Sequence, residues 1–372
     1  MKIGILTYHR AENYGALLQA YATKTYLQSL GHDVSFVDYW PKYHSDYFSI
    51  FPIRAFNKRN AKGIILMLLR LALWGVPRYI RKNRLQRFMR KKLELPKVPL
   101  YTNDECKTEK YDVVIYGSDQ IWRKQNLGGV GFDAWYFGSE NVLADKKVAF
   151  AGSMGAVSFD DEDEVYVLQQ MRNFDNLSVR EKDLHDFLSL KGIGSQLVSD
   201  PVFLLQKEEW TKVAPSGPIN KKYILFYNLL NTRESVSFTN RLSLTTGLPV
   251  VEINKVLTPS RFFSRRYVSC ASVERFLSLI AHADYVVSNS FHGVAFSLIF
   301  EKQFFAVGMR EKANRVVSLL ESLDLKSRYV VDGRSLSEDD SSVIDYAAVK
   351  KKLQVLVDGS VKYLNLCIQQ IN

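Results

Sequence analysis

Short apolar runs that end in small or polar residues recur along the chain, and stretches with helical spacing lie between them. Ile3 to Thr7 is the first such run. Ala16 to Leu30 follows, with Leu17, Leu18, Tyr21, Ala22 and Leu27 on helical spacing; Gly31 stands where a helix end favours positive φ, and Val34 to Val37 resumes an extended pattern. A strand–helix–strand opening predicts a parallel sheet. Further strands are predicted at Val113 to Tyr116, Val148 to Ala151 and Leu177 to Val179. They run into Gly117-Ser118-Asp119-Gln120, Gly152-Ser153-Met154-Gly155 and Arg180-Glu181. After the turn formers Ser199-Asp200-Pro201 and Ala214-Pro215-Ser216-Gly217-Pro218 the alternation restarts, with strands at Tyr223 to Tyr227, Pro249 to Ile253, Tyr285 to Val287, Phe304 to Val307 and Tyr329 to Val331. Tyr346 to Ile371 has the spacing of a long helix interrupted by Gly359.

A chain of 372 residues, 47% apolar, exceeds what one core usually supports. The pattern predicts an α/β protein of two doubly wound, Rossmann-like domains facing a cleft. Their boundaries are 1–205 and 206–345, followed by a C-terminal helix at 346–372. In such folds ligands gather at the carboxyl ends of the strands.

Cys106, Cys270 and Cys367 are widely spaced and odd in number, which signals neither a disulfide framework nor a zinc site. The opening MKIGILTYHRAENYG reads as a first strand rather than a signal peptide, so a cytoplasmic protein is expected.

The net charge of +11 changes the picture once it is located. Thirteen basic residues and no acidic one lie between Arg54 and Lys92, leaving the remainder close to neutral. Within this segment, Gly63 to Pro77 is apolar apart from Arg70 and falls short of the roughly 20 residues needed to span a bilayer. In the stretch that follows, Leu85, Phe88, Met89 and Leu93 share one helical face among arginines and lysines. We read residues 54–92 as a basic helical hairpin inserted in the first domain. One expectation is peripheral contact with an anionic membrane at its inner face, made by residues such as Arg70, Trp74, Arg81, Arg84 and Arg87, each basic residue contributing on the order of 1 kcal/mol near the surface. The other is a hairpin packed on the domain with a solvated basic face. Nucleic-acid binding is not expected, because no nucleic-acid motif accompanies the charge.

Candidate chemistry concentrates in "SNSFHG", residues 288–293. A buried strand ends at Val287, Ser288 to Ser290 suit a helix entry, and Gly293 permits close backbone approach. His292 then falls at a helix N-terminus, where N–H groups and the dipole favour an anion, and an imidazole there suits general acid/base work. The first domain offers Asn13-Tyr14-Gly15 after its first strand, Gly117 to Gln120 after a later one and Arg180 after another. Each has a plainer reading: Asn13 and Asp119 as helix caps, Arg180 as a partner of a surface acid. GxGxxG, GxxxxGK[ST], HExxH and GxSxG patterns are absent and no DxD pair stands at a strand end, so neither a metal nor a dinucleotide cofactor is signalled.

"NYGALLQAYA" (13–22), "YGSDQIW" (116–122), "SVRE" (178–181), "SDPVFLL" (199–205), "SNSFHGVAFSLIF" (288–300) and "NRVVSLLESLDL" (314–325) occur in the order of the polysaccharide pyruvyl transferase family, which the chain resembles over nearly its whole length. The resemblance implies a fold like the two-domain GT-B glycosyltransferases. It also implies transfer of the enolpyruvyl group of phosphoenolpyruvate, as donor substrate without a cofactor, to two sugar hydroxyls, giving a pyruvate ketal in surface-polysaccharide synthesis. The family's histidine falls on His292 and its arginine on Arg180. Some relatives carry arginine and leucine before the histidine, where this chain has Ser290 and Phe291; Arg315, and after it Arg310, are the candidates to supply the missing anion contact.

On this resemblance His292 is the expected acid/base, Arg180 and Arg315 clamp the donor, and Asp119 orients an acceptor hydroxyl. Asn13, Tyr14, Gly15, Ser118, Gln120, Ser290 and Gly293 are expected to line the site. Surface glycans are commonly built on polyprenyl diphosphate at the membrane, which makes a lipid-linked sugar the expected acceptor. The competing readings are a nucleotide-sugar-dependent GT-B glycosyltransferase and a non-catalytic glycan- or lipid-binding member of an assembly complex.

Overall fold

The computed structural model describes residues 1–48, 61–103, 105–125, 130–155, 157, 159–215, 222–254, 266–309, 313–331 and 342–369, with the side chains of residues 61–74 outside that description. Two six-stranded sheets form its framework. The first contains β1 (Lys2–Leu6), β2 (Asp33–Phe36), β3 (Tyr111–Tyr116), β4 (Ala144–Gly152), β5 (Asn176–Val179) and β6 (Gln196–Leu197), in the order β2-β1-β3-β4-β5-β6. In the second, β7 (Ile224–Asn228), β8 (Val250–Asn254), β9 (Arg266–Tyr267), β10 (Tyr285–Ser288), β11 (Gln303–Val307) and β12 (Tyr329–Val330) run β12-β11-β10-β7-β8-β9. Every strand pairing is parallel. The protein is thus an α/β molecule of two doubly wound domains, as the apolar pattern predicts. Only the two-residue β6 and β9 lack a predicted counterpart, being too short to carry a period.

Helices cover both faces of these sheets: α1 (Tyr14–Ser29), α2 (Lys42–Tyr47), α3 (Ala61–Lys92), α4 (Asp161–Met171), α5 (Lys182–Leu190), α6 (Lys207–Val213), α7 (Arg233–Thr246), α8 (Val273–Ala281), α9 (Phe291–Ile299), α10 (Asn314–Ser322) and α11 (Tyr346–Gln369). That cover explains the unbroken apolar character of a strand such as β7, where every residue is buried. Strand order reverses between β1 and β3 in one sheet and between β7 and β10 in the other. Crevices open at such points, and the turns and helix starts after these strands carry Gly15, Ser118 and His292.

The basic segment departs from expectation. α3 is one continuous helix of 32 residues with Pro77 inside it, not a hairpin. Its Leu85, Phe88 and Met89, with Leu93 just beyond, are buried in the main core, where Phe88 meets Tyr21 edge-on at 5.8 Å. That face is therefore closed to lipid; an apolar stripe has the same period whichever surface covers it. Arg81 donates to the Glu12 carbonyl at 3.1 Å and lies 5.2 Å from the Tyr14 ring, while Arg84 reaches across to the Cys270 carbonyl at 2.5 Å. Both tie the helix to the seam between the domains. Arg87 is exposed, and the side chains of Arg70 and Trp74 lie outside the described residues. Among the described residues, no helix is long and apolar enough to cross a membrane.

The seam itself is built on Tyr14. Its ring stacks on Phe276 at 4.6 Å and its hydroxyl donates to the Ala271 carbonyl at 2.8 Å. α11 runs through Gly359 without a break and returns to the first domain. There Tyr363 donates to the Ala149 carbonyl at 3.2 Å, and Ser360 meets Ser199 at 2.8 Å.

Candidate functional site

Strand ends and helix starts from both domains converge between them. Asn13 caps α1 by accepting from the Gly15 N–H at 2.9 Å, which fixes the first turn of that helix against the opposite domain. A β-carbon on Gly15 would fall 2.1 Å from His292 Nδ1, so glycine is what admits the imidazole. Gln19, one turn further on, accepts from the Ser118 N–H at 3.2 Å and donates to Thr7 at 2.9 Å, locking the ends of β1 and β3 together. The Ser118 hydroxyl is thereby held inside the site.

Arg180, at the end of β5, is the hub, its side chain 2% exposed. Nη1 donates to Asp200 Oδ2 at 2.5 Å and to Ser118 Oγ at 3.2 Å, Nη2 to Ser153 Oγ at 3.2 Å, and Nε to Glu181 Oε1 at 3.3 Å. A guanidinium with its fork filled this way is a positioning group before it is a substrate clamp. Arg315, on the first turn of α10, is more open at 13%, and its Nε stands 3.6 Å from Glu181 Oε1. Phe291 offers its ring to both arginines, at 5.8 Å from Arg180 and 5.5 Å from Arg315. The position where some relatives carry leucine is thus an aromatic floor for two cations.

His292 lies over this cluster on the first turn of α9. Its Nε2 is buried without a hydrogen-bond partner, 3.7 Å from Asp200 Oδ2, too far for a hydrogen bond. Burial pushes the imidazole down to about 4; Arg180 and Arg315 add to the fall, and Asp200 and Asp119 oppose it. At neutral pH the ring is uncharged and can accept a proton. Burial opposes ionisation of Asp200, yet the His292 imidazolium when it is protonated, Arg180 and the Val202 N–H hold it below the ordinary carboxylate range. Glu181 is raised by its burial, with Oε2 left unpaired. Arg315 is lowered by burial and then by Arg180.

Several expected lining residues do other work. Asp119 accepts from the Gln120 N–H at 2.8 Å, but no helix starts there for it to cap, and its charge acts on His292, Arg180 and Arg315. The Gln120 amide packs over Gly155, where a β-carbon would sit 2.8 Å from Nε2. Tyr14 is committed to the seam. Gly293 serves the close approach of α9 to its sheet, since a β-carbon there would lie 2.1 Å from Ser288 Oγ and 3.0 Å from the Tyr227 ring. The Ser290 N–H donates to Ser288 Oγ at 3.0 Å. Arg310 lies outside the described residues. Among the described residues, no group of three or more His, Cys, Asp or Glu side chains is arranged to hold a metal ion.

Sequence reasoning misses Asp200, Ser153 and Glu181 as site residues. Asp200 reads as part of an interdomain turn, and it does cap the turn at Pro201–Leu204 through the Val202 N–H at 3.1 Å. Its other oxygen faces Arg180 and His292. An acid set directly before a proline, where the alternation pauses between the domains, was the available signal.

The chain is similar in fold to UDP-GlcNAc 2-epimerase of Methanocaldococcus jannaschii, at 11% identity over 96% of this chain and 93% of that one, with a TM-score of 0.47. It is also similar to the glycosyltransferase SnogD of Streptomyces nogalater, at 11% identity over 100% and 98% of the two chains with a TM-score of 0.40. A further similarity is to the E. coli heptosyltransferase WaaC, at 11% identity over 95% and 99% with a TM-score of 0.37. No curated protein matches the sequence. The family model for polysaccharide pyruvyl transferase matches residues 13–310, a span that carries Gly15, Ser118, Arg180, Asp200 and His292 and ends just before Arg315, and the chain belongs to that family.

Proposed function

We infer that the protein transfers the enolpyruvyl group of phosphoenolpyruvate to two hydroxyls of a sugar, forming a pyruvate ketal and releasing phosphate. The observation that carries this reading is His292: an uncharged, buried imidazole with a free Nε2, set beside two arginines in a member of a pyruvyl transferase family. In the first step the oxygen of one acceptor hydroxyl bonds to C2 of the donor as the C2=C3 double bond opens. His292 takes the hydroxyl proton and passes it to C3, turning the methylene into a methyl group and leaving the imidazole neutral again. In the second step the other hydroxyl oxygen bonds to C2 as the C2–O bond to phosphate breaks, and its proton leaves with the phosphate.

Arg315 is the arginine with exposure to spare for the donor anion. Arg180 holds Asp200, Ser118 and Ser153 in place, and Asp119 faces the acceptor side. A donor anion beside Arg315 stabilises the imidazolium, which raises the affinity of His292 for its proton in step with the chemistry. The acceptor we propose is carried on a polyprenyl diphosphate at the inner face of the membrane, which the apolar run Gly63 to Pro77 of α3 and its basic surroundings suit.

Incubation with phosphoenolpyruvate and a lipid-linked oligosaccharide, followed by mass spectrometry and a phosphate assay, tests the reading. One added pyruvyl unit per phosphate released, both lost with His292→Ala, is the expected result. Release of nucleoside diphosphate from a nucleotide sugar in place of phosphate would overturn it in favour of glycosyl transfer.

A further inference from the structure

A groove of 260 Å³ opens beside the cleft, between the loops that follow β1 and β2 and the last turns of α3. Arg10, Glu12, Trp40, Lys82, Arg90 and Lys97 are among its walls, four cations facing one carboxylate. Two of the cations are fixed from behind. Arg10 donates to both oxygens of the buried Asp38, at 2.5 and 2.7 Å, and to the Pro96 carbonyl at 2.9 Å. Lys82 stands 3.2 Å from Glu12 and donates to the Phe48 carbonyl at 3.1 Å. The other two, Arg90 and Lys97, are exposed and have no partner among the described residues. Trp40 is 8% exposed and held by its stack on His44 at 4.7 Å, so it forms a rigid, flat apolar wall next to this charge.

The groove lies close to the reacting centre. Glu12 precedes Gly15 by three residues, which limits their Cα separation to about 11 Å, and Gly15 is the residue that His292 covers. The geometry points to this groove as the site that holds the phosphate or diphosphate group through which the acceptor glycan is carried, an inference that rests on the pyruvyl-transfer reading above. Arg90 can present a planar fork to phosphate oxygens and Lys97 a point charge, beside the rigid edge of the buried Trp40. The buried Arg10–Asp38 pair keeps the floor in place as the two free cations close on the ligand.

The same chemistry comes from a prenyl diphosphate carrier or from a nucleotide diphosphate sugar, and calorimetry on the full-length protein with inorganic pyrophosphate, geranyl diphosphate and UDP-glucose separates them. Pyrophosphate is expected to bind, and the double change Arg90→Glu with Lys97→Glu to weaken it at least tenfold. Arg87→Glu, on the same helix outside the groove, should leave it unchanged. Tighter binding of geranyl diphosphate than of the other probes supports the lipid carrier; tighter binding of UDP-glucose supports the site and overturns that carrier. An affinity for pyrophosphate that survives the double change but is lost with Arg315→Ala, or no binding by the unmodified protein at millimolar concentration, overturns the site. Phosphate release from phosphoenolpyruvate is measured in parallel. Its absence alongside groove-dependent binding sinks the pyruvyl-transfer reading alone, and its presence alongside unchanged binding in the double variant sinks the groove alone.

Discussion

His292 and Gly15 meet across the two domains, with the imidazole seated where a side chain on Gly15 would have to be. A helix start in one domain therefore sets how deep the histidine of the other can sit.

Adding a single methyl group should break this relationship. Gly15→Ala places an atom 2.1 Å from Nδ1, so either His292 or the domain seam must give. Overpacking of this kind costs about 1–3 kcal/mol. We expect a lower melting temperature and a turnover at least tenfold down; unchanged kinetics in the Gly15→Ala protein would show that the contact has no part in placing the histidine.

His292→Ala should lower turnover about 100-fold or more, the usual size of general acid–base catalysis. Because the free enzyme holds this imidazole at about 4, kcat/KM should begin to fall only as pH approaches that value. Stability has its own pH window. The folded-state pKa lies below the ordinary 6.5, so the unfolded chain takes up the proton first, and stability is lost as pH falls from 6.5 through about 4. His292→Asn should flatten that slope in denaturant titrations. Part of the slope will persist, since burial also lowers His9 and takes His44 to about 3. Identical slopes in the two proteins count against a buried neutral His292.

The two arginines should separate cleanly. Removing Arg180 leaves the buried Asp200 without its ion-pair partner and Glu181 with Arg315 alone, and Arg180→Ala is expected to cost about 3–5 kcal/mol of stability. Arg315→Ala should change stability little, while loss of a charged contact to the donor, about 1.5–3 kcal/mol, raises KM for phosphoenolpyruvate roughly 10- to 100-fold. Equal melting temperatures for the two variants would remove the distinction between positioning and binding.

Phe88→Ala tests the reassignment of α3. A fully buried phenylalanine costs about 3–5 kcal/mol when truncated, so melting temperature should drop. Flotation with anionic vesicles should be unaffected, because that face is closed to lipid. A stable variant that no longer floats would return Phe88 to the membrane.

Strand positions were legible because each is a short apolar run buried on both faces, and His292 was legible because the run before it ends in polar residues. The partners of His292 were harder to read. Asp200, Ser153 and Glu181 come from separate strand ends, and each has an ordinary local role that its neighbours in sequence explain. What brings them together is the fork of Arg180, a relation no local pattern records. The basic segment left two expectations open for another reason. Its apolar stripe states that the face is covered, and the sequence does not say whether lipid or protein covers it.

The chain crosses between its domains after β6 and again along α11, and these crossings touch where Ser199 meets Ser360. Two covalent links joined at one point act as a pivot. Any swing of one domain on the other that stretched neither link would have to turn about the Ser199–Ser360 contact.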